Sequence, residues 1–455
     1  MATTAPVVPL QAPKDVSLSK IEAELSEIWQ SYNMSSTDGS TLSAIRATTF
    51  TLIVYEPEET QQLLAMLGYY TGPIDGIGGP RTEAAIRAAQ AAYNLKVTGK
   101  VNPELLTKLR RELAICRGET VGEGDTCRLS PYGMDSEGAG IADAIAAQNP
   151  CRIISLFPMV GQDEGVMAQV SAYCPIQKRA STSLICCEYI TLKGTESALD
   201  RMHGLVSSLM ISGLPSFLWW KGSPNVDLSL FQQLAHTSSM LIVDSSTFMT
   251  DADGDLVRLQ SILTQGVAIA DLNWRRIAPW QELTAEAFDA PERWSSLMQV
   301  DRVTIDYERG NPTQALLFLG WLASRLGWQP TGRVKEEGDY DIQRITFTGY
   351  EGRQIEAELA AMPIADSGIV EGDLLDLRLT STNPDANCCT VLCSETMGCM
   401  RMESGGGAQS CWVNQVSSLA DQKSETLLSE QLRNSLQDLL YADSLAIAAK
   451  IAQFA

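Results

Sequence analysis

The chain has very little histidine and no long apolar segment. Its 455 residues include only His203 and His236, so a Ser-His-Asp hydrolase or a histidine-rich metal site has little to build on. Both histidines lie in predicted helices, where we expect structural roles. A membrane-spanning helix needs a run of about 18 or more apolar residues, and none occurs.

We expect no export signal from the start of this sequence. Its first residues, MATTAPVVPLQAPKDVSLSK, have no basic start, apolar centre or small-residue cleavage site. We therefore expect a cytoplasmic protein, in a compartment that keeps thiols reduced by default.

Positive charge is scarce. Lys and Arg total 34 against 55 Asp and Glu, which gives a net charge of −21. Such a charge repels phosphate backbones and anionic lipids, so we expect neither a nucleic-acid nor a membrane partner. It is compatible with a protein partner that presents a basic face, and equally with a role in solubility alone.

The usual catalytic signatures are absent. The sequence has no G-x-S-x-G elbow, no phosphate-binding Walker loop and no H-E-x-x-H zinc motif. GAGIAD at 138–143 is a weak match to a dinucleotide loop, but it follows a polar linker instead of a strand. We therefore expect no catalytic centre, no cofactor and no resident metal.

Hydrophobic periodicity divides the chain into five consecutive parts. The first holds an amphipathic helix and a strand, and the second alternates short helical patterns with Gly/Pro turns. The third is a polar linker. The fourth alternates apolar strands with helices, as in a largely parallel α/β sheet, and the fifth combines a Cys-rich loop with closing helices. The five parts are 1–56, 57–116, 117–140, 141–385 and 386–455.

Two aromatic and basic stretches are candidates for partner binding. Trp274, Arg275 and Arg276 follow the predicted strand VAIADLN near its carboxyl end, where α/β sheets place ligand and partner sites. Trp219 and Trp220 end the predicted strand LPSFLWW. The alternatives are core packing for the tryptophans and ordinary surface ion pairs for the arginines.

The second part resembles a peptidoglycan-binding-type domain. The run LLAMLGYYTGPIDGIGGPRTEAAIRAAQAAYNLKVTGKVNPELLTKL follows that family's order of glycines, a GP-x-T turn, a glutamine and a TG turn. The resemblance implies three short helices joined by tight turns. The family's aromatic residue before the glutamine is replaced by Ala89. Reuse as a protein-interaction module fits the missing export signal better than cell-wall binding.

The flanking chain resembles the cyanobacterial members of the OpcA family, the glucose-6-phosphate dehydrogenase assembly proteins. RATTFTLIVY, NPCRIISLFP, LPSFLWWKG, LIVDSSTF, ADLNWRRIAPWQELTAEAFD and ALLFLGWLASRLGW carry this resemblance. It implies a non-catalytic allosteric activator of the oxidative pentose phosphate pathway and its NADPH supply. Such a protein binds glucose-6-phosphate dehydrogenase, favours its active oligomer and raises its affinity for substrate.

Eleven cysteines, an odd number, include a dense group in NCCTVLCSETMGCM at 387–400. The spacing fits neither two zinc-ligand pairs nor the common iron–sulfur runs. Five residues separate Cys393 from Cys399, and Gly398 among them permits a tight turn. A disulfide closing so short a loop adds roughly 2 kcal/mol in the chain-entropy model. If exposed, it would be readily reversible. We therefore predict a redox disulfide between these two cysteines.

Other cysteines stay less defined. Cys388, Cys389 and Cys411 are alternative redox residues, whereas Cys186 and Cys187, inside a predicted strand, are expected to be buried and inert. In the family context thioredoxin is the expected reductant, and the oxidised form is expected to activate the dehydrogenase. The competing functions are a sugar-phosphate-binding α/β protein that uses Arg275 and Arg276, and a peptidoglycan-binding protein.

Overall fold

The chain folds into two compact units, Met1–Val243 and Asp244–Ala455. This division falls inside the range 141–385 that the sequence suggests as one core. The computed structural model describes residues 7–34, 43–46, 48–57, 59–70, 80–116, 150–175, 183–289, 291–336, 341–363, 370, 372–383, 386, 390–395, 399–404, 412–417, 424–433 and 437–454. The linker expected at 117–140 and the first residues of the fourth part, 141–149, lie outside these residues.

A mostly parallel sheet forms the core of the first unit, in the order β1-β5-β6-β4-β3-β7-β8, with β2 paired to β6. Its strands are β1 (Val7–Val16), β2 (Ser43–Arg46), β3 (Thr51–Tyr55), β4 (Arg152–Pro158), β5 (Met167–Pro175), β6 (Ser183–Gly194), β7 (Ser216–Trp220) and β8 (Met240–Val243). The strands from β6 to β8 in that order are parallel. Strands β3, β7 and β8 are buried at every position, as expected when helices cover both faces. This confirms the predicted α/β class.

The helices of the first unit begin with a 3-10 turn at Leu18–Lys20. They are α1 (Ile21–Met34), α2 (Glu59–Met66), α3 (Pro80–Ala92), α4 (Pro103–Cys116), α5 (Glu196–Asp200), α6 (His203–Leu209) and α7 (Ser229–Thr237). The sequence suggests one long helix where α5 and α6 stand. It is broken at Asp200, whose carboxylate accepts the backbone N–H of Leu230.

Helices α2, α3 and α4 form the small domain inserted after β3. Their core includes Leu64, Ala89 and Leu105, all fully buried. Gln90 is also buried and binds the following turn, since its side-chain Oε1 accepts the N–H groups of Thr98 and Gly99. The predicted three-helix domain is therefore present, and Ala89 fills the core position where its family has an aromatic residue.

A second sheet forms the core of the second unit, in the order β11-β12-β13-β10-β14-β15-β16-β17. The strands of this unit are β9 (Ile269–Asp271), β10 (Arg302–Glu308), β11 (Gln329–Glu336), β12 (Asp341–Thr348), β13 (Gln354–Met362), β14 (Leu374–Thr380), β15 (Thr390–Glu395), β16 (Cys399–Ser404) and β17 (Trp412–Ser417). Adjacent strands are antiparallel except β10 and β13. The described residues of the Cys-rich segment, which was expected to be a loop, are therefore in strands, because β14 extends the sheet and gives β15 a pairing edge.

The helices of the second unit are α8 (Ala252–Thr264), α9 (Leu272–Arg276), α10 (Ala278–Glu286), α11 (Pro291–Leu297), α12 (Thr313–Leu326), α13 (Ser424–Gln431) and α14 (Leu439–Ala452), with 3-10 turns at Ser245–Thr247 and Tyr350–Gly352. Helix α12 is apolar on nearly all sides and packs against α14. The approach is so close that a Cβ on Gly320 would collide with the Ser444 carbonyl. Within the described parts of the chain, no helix has the length and apolarity to span a bilayer.

Candidate functional site

The carboxyl ends of β3 and β7 are the natural ligand position of the first sheet. The chain builds outward from β3 through β4 to β6, and then crosses to β7 and β8 on the other side. Open α/β sheets bind ligands in the crevice where the strand order reverses in this way.

An ion pair occupies this position. The Lys221 ammonium, which follows β7, lies 3.0 Å and 2.9 Å from the two carboxylate oxygens of Glu56, which follows β3. The Glu56 side chain is 1% exposed and that of Lys221 is 13% exposed. Because the carboxylate and the ammonium neutralise each other, the pair offers no net positive charge to the phosphates of a dinucleotide, and the chain continues into the inserted domain instead of a glycine-rich loop. The arrangement therefore disfavours dinucleotide binding between β3 and β7.

Trp219 and Trp220 pack beneath this ion pair. Trp220 stacks on Tyr55 at a ring separation of 3.6 Å, and its indole N–H donates to the Ser223 carbonyl. The Lys221 ammonium lies 4.4 Å from the centre of the Trp219 ring. Both tryptophans are almost fully buried, so they are core residues and not surface contacts. Core packing, the alternative expected from the sequence, is what the structure shows.

The second aromatic and basic stretch lies at the end of β9. The predicted strand stops at Asp271, because its carboxylate caps α9 by accepting the backbone N–H of Asn273. Arg276, at the end of α9, is buried and binds Asp244 with both arms: Nη1 lies 2.7 Å from Oδ1 and Nη2 lies 2.9 Å from Oδ2. Ser424, the first residue of α13, also donates to Asp244 Oδ2 at 2.5 Å.

These contacts change the acidity of Asp244. Burial by itself raises the pKa of its carboxyl group, but the Arg276 guanidinium and the hydroxyls of Ser246 and Ser424 outweigh it and lower the pKa to about 2. Asp244 is therefore ionised at neutral pH and fully committed to internal partners.

Asp271 has the opposite environment. Burial raises the pKa of its carboxyl group, and the nearby charge of Asp244 raises it as well. The hydrogen bonds from the N–H groups of Ser245 and Asn273 lower the pKa, but burial dominates and the result is about 6. The Tyr441 hydroxyl of α14 donates to Asp271 Oδ2 at 3.4 Å. We call Asp244, Asp271 and Arg276 the carboxylate cluster. Its role in the fold is to fasten α13 and α14 to the end of β9.

The neighbours of Arg276 are also held inside the second unit. Trp274 is buried, its indole N–H donates to Asp438 Oδ2 at 2.8 Å, and its ring meets Tyr441 edge-on. Arg275 is 26% exposed and pairs with Glu430 at 2.9 Å. Of the candidate partner-binding residues, Arg275 alone keeps appreciable exposure, and it makes the surface ion pair expected as the alternative.

Three family models match this chain. They are described as the glucose-6-phosphate dehydrogenase subunit N-terminal domain over residues 142–261, its C-terminal domain over 267–445, and a peptidoglycan binding domain over 56–109. Relatives named OxPP cycle protein OpcA are 56% identical in Nostoc punctiforme, over 99% of this chain and 96% of the relative, and 53% identical in Synechocystis, over 100% and 95%. A third, from Synechococcus elongatus, is 47% identical over 99% of this chain and 98% of the relative. The chain belongs to the OpcA family.

The match to the peptidoglycan binding domain begins at Glu56, the residue that pairs with Lys221. In this OpcA-family chain the inserted domain therefore starts where β3 ends. Glu59 at the start of α2 forms an ion pair with Arg110 of α4, and its carboxylate accepts the backbone N–H of Val160 after β4. These contacts join the inserted domain to the sheet on which it is built.

The predicted redox cysteines of this OpcA-family chain lie on neighbouring strands. Cys393 of β15 is paired with Arg401, and Cys399 of β16 is paired with Glu395. The two cysteines are thus diagonal neighbours, whose Cα atoms are typically about 7–8 Å apart, compared with roughly 4.4–6.8 Å in disulfides. A bond between them requires a local shift of this hairpin. Cys388, Cys389 and Cys411 lie outside the described residues.

Sequence reasoning missed other features of the cysteines. Cys116 and Cys186 are each disulfide-bonded, which corrects the expectation of an inert thiol at Cys186. The local hydrophobic pattern of the sequence does not reveal such pairings. In the described part of the chain, no group of three or more His, Cys, Asp or Glu residues is arranged to hold a metal ion.

Proposed function

We propose that this chain is a non-catalytic activator and assembly factor of glucose-6-phosphate dehydrogenase. It promotes the active oligomer and the substrate affinity of that enzyme in the oxidative pentose phosphate pathway of the cytoplasm. The observation that carries the proposal is the pair of family models for a glucose-6-phosphate dehydrogenase subunit, supported by full-length relatives named for the OxPP cycle.

The geometry supports a binding role over a catalytic one. Glu56 and Lys221 neutralise each other at the ligand position of the parallel sheet, and Arg276 is bound to Asp244. The best-placed charges therefore serve internal partners and do not face a substrate. An effector without chemistry of its own acts by binding one state of its target more tightly than another.

The redox part of the proposal concerns Cys393 and Cys399. Oxidation joins the two sulfurs and removes two electrons and two protons. The dithiol of thioredoxin reverses this as it is itself oxidised to a disulfide. The two cysteines are diagonal neighbours on β15 and β16, so the hairpin has to shift for the bond to form. Oxidation would therefore change the structure of this part of the sheet. In this proposal the oxidised form is the activator.

The test mixes the full-length chain with purified glucose-6-phosphate dehydrogenase. We expect no dehydrogenase activity from the chain alone, co-elution of the two proteins on gel filtration, and a lower KM for glucose 6-phosphate when the chain is oxidised. Reduced thioredoxin should reverse the KM effect. An unchanged KM together with separate elution of the two proteins would contradict the proposal.

Variants of the hairpin test the redox part separately. Cys393→Ser and Cys399→Ser should each remove the difference between oxidised and reduced chain. Ser394→Ala, a change of similar size between them, should leave that difference intact. If both cysteine variants respond normally to thioredoxin, this pair is not the switch, although activation itself would stand.

Sugar-phosphate binding through Arg275 and Arg276 has less support, because Arg276 is buried and paired. Titration of the chain alone with glucose 6-phosphate tests this alternative, and saturable binding would support it. Pull-down on purified peptidoglycan tests the role suggested by the family of the inserted domain.

A further inference from the structure

Two free thiols meet inside the first unit. Cys151 and Cys187 are both unbonded, and they are 0% and 1% exposed. Cys151 immediately precedes β4, and Cys187 lies on β6. These strands are parallel, and Arg152 is paired with Glu188. Cys151 and Cys187, the residues just before them, therefore lie opposite each other. Adjacent strands lie about 4.8 Å apart, a separation that a disulfide spans without backbone movement.

The hydrogen bonds between the two residues are asymmetric. The backbone N–H of Cys151 donates to Cys187 Sγ at 3.4 Å, and the two thiols are close enough for the pKa of each to depend on the other. Hydrogen bonds from Cys151 lower the pKa of the Cys187 thiol in spite of its burial. The interaction with the Cys187 thiol, together with burial, raises the pKa of Cys151. The negative charge of a thiolate is therefore better accommodated on Cys187, and the proton on Cys151.

We infer that Cys151 and Cys187 are a second reversible dithiol–disulfide site, in which Cys187 is the attacking sulfur and Cys151 the resolving one. The oxidant is a low-molecular-weight disulfide. The Cys187 thiolate attacks one of its sulfurs, breaks the S–S bond and releases one thiolate, which leaves a mixed disulfide on Cys187. Cys151 then gives its proton to the released thiolate and attacks Cys187 Sγ. This step expels the second thiolate, which takes up the proton that Cys187 lost on ionising. Two protein thiols are oxidised and one small disulfide is reduced to two thiols.

The position of the pair decides what the bond does and how fast it forms. Cys151 lies where the chain re-enters the sheet after the inserted domain, and the preceding Pro150 carbonyl accepts the N–H of Thr49. The bond therefore fixes the start of β4 to β6 and closes a loop from 151 to 187. Since both sulfurs are buried, the exchange waits for local opening of this strand end, which makes it slower than exchange at an exposed pair.

The experiment uses the isolated full-length chain, so its outcome does not depend on the proposed dehydrogenase partner. The reduced chain is incubated in glutathione buffers of increasing oxidised fraction, quenched with an alkylating reagent, digested and analysed by mass spectrometry. We expect a peptide pair that joins Cys151 to Cys187 with the loss of two hydrogens, formed reversibly and faster in urea below the unfolding transition. Two alkylated thiols at the most oxidising ratio, with and without urea, would overturn the inference.

Two variants test the assigned roles. Cys151→Ala should accumulate glutathione on Cys187, because the resolving thiol is missing. Cys187→Ala should leave Cys151 largely unmodified under the same conditions. The reverse pattern, or equal adducts in both, would reject the assignment of Cys187 as the attacking sulfur. The cross-link in the unmodified chain provides the test of the pair itself if either variant fails to fold.

Discussion

Each unit buries charged groups where a strand ends, and the two sites differ in their balance of charge. In the first unit one carboxylate, Glu56, meets one ammonium, Lys221. In the second unit Arg276 neutralises Asp244, and Asp271 lies beside them and accepts hydrogen bonds from Ser245, Asn273 and Tyr441. The balanced pair closes the ligand position of its sheet. The cluster with a surplus carboxylate should respond more strongly to mutation and to pH.

The largest expected effect is in the second unit, on replacing Arg276 with Met. The change leaves Asp244, 4% exposed, as a buried charge without a cation. Removing one partner of a buried ion pair typically costs about 3–5 kcal/mol. Urea unfolding at neutral pH should show a loss of this size in the free energy of unfolding of the second unit.

Arg275→Met is the matched control, because it removes the same charge one position earlier. Arg275 pairs with Glu430, which is 45% exposed, and such a surface pair contributes about 0–1 kcal/mol. Equal losses of stability in the two variants would show that the buried ion pair contributes no more than the surface pair.

The second prediction uses pH to isolate the surplus carboxylate. The pKa of Asp271 is about 6 in the folded chain, against an ordinary value of 3.8, so the folded state holds this proton to higher pH than the unfolded state. Its contribution to stability is present below pH 4 and falls as the pH rises toward 6, by roughly 2–3 kcal/mol. Asp271→Asn cannot lose a proton, so unfolding free energies measured between pH 4 and 7 should lack this decline.

Asp244 supplies an internal control with the opposite sign. Its pKa is lowered to about 2, so its contribution is present above about pH 4 and is lost as the pH falls toward 2. That loss should remain in Asp271→Asn. If the free energy of unfolding changed with pH in the same way for the variant and the original chain between pH 4 and 6, the raised pKa assigned to Asp271 would be contradicted.

Apart from the Arg275→Met control, the smallest expected effect is in the first unit, on replacing Lys221 with Met. Glu56 then loses its cation, but the site admits some water through Lys221, which is 13% exposed. We expect a loss of about 1–3 kcal/mol, measured by urea unfolding. A double variant with Glu56→Gln should recover part of it, because an amide is less costly to bury unpaired than a carboxylate. A loss as large as that of Arg276→Met would remove the distinction between the two sites.

Local patterns predicted much of the architecture. The inserted domain follows from helical periodicity and turn glycines, and Gly99 indeed has φ +72° in the turn that Gln90 binds. The parallel strands are predicted because their apolar runs are continuous, and residues 51–55, 216–220 and 240–243 are buried throughout. These signals lie within a few residues of each other along the chain, so they can be recognised without knowledge of the tertiary contacts.

The candidate sites were predicted less well, because their partners are distant in sequence. Trp274 and Arg276 follow a strand, as expected, but Asp438, Tyr441 and Ser424 reach them from the C-terminal helices and bury them. The sequence places Arg275 and Arg276 side by side without indicating that one is exposed and the other is not. Nor does it indicate that Glu56 meets Lys221 across 165 positions.

The sequence by itself determined the α/β class, the inserted three-helix domain and the family, because hydrophobic period, turn residues and family motifs are properties of short segments. Only the tertiary structure decided which charges are neutralised, which cysteines meet and which tryptophans are core. Burial, pKa and sulfur contacts depend on strand register and on helices that arrive from far along the chain. Cys151 and Cys187 illustrate this, because 36 positions separate them in sequence and one step of parallel register brings their sulfurs together.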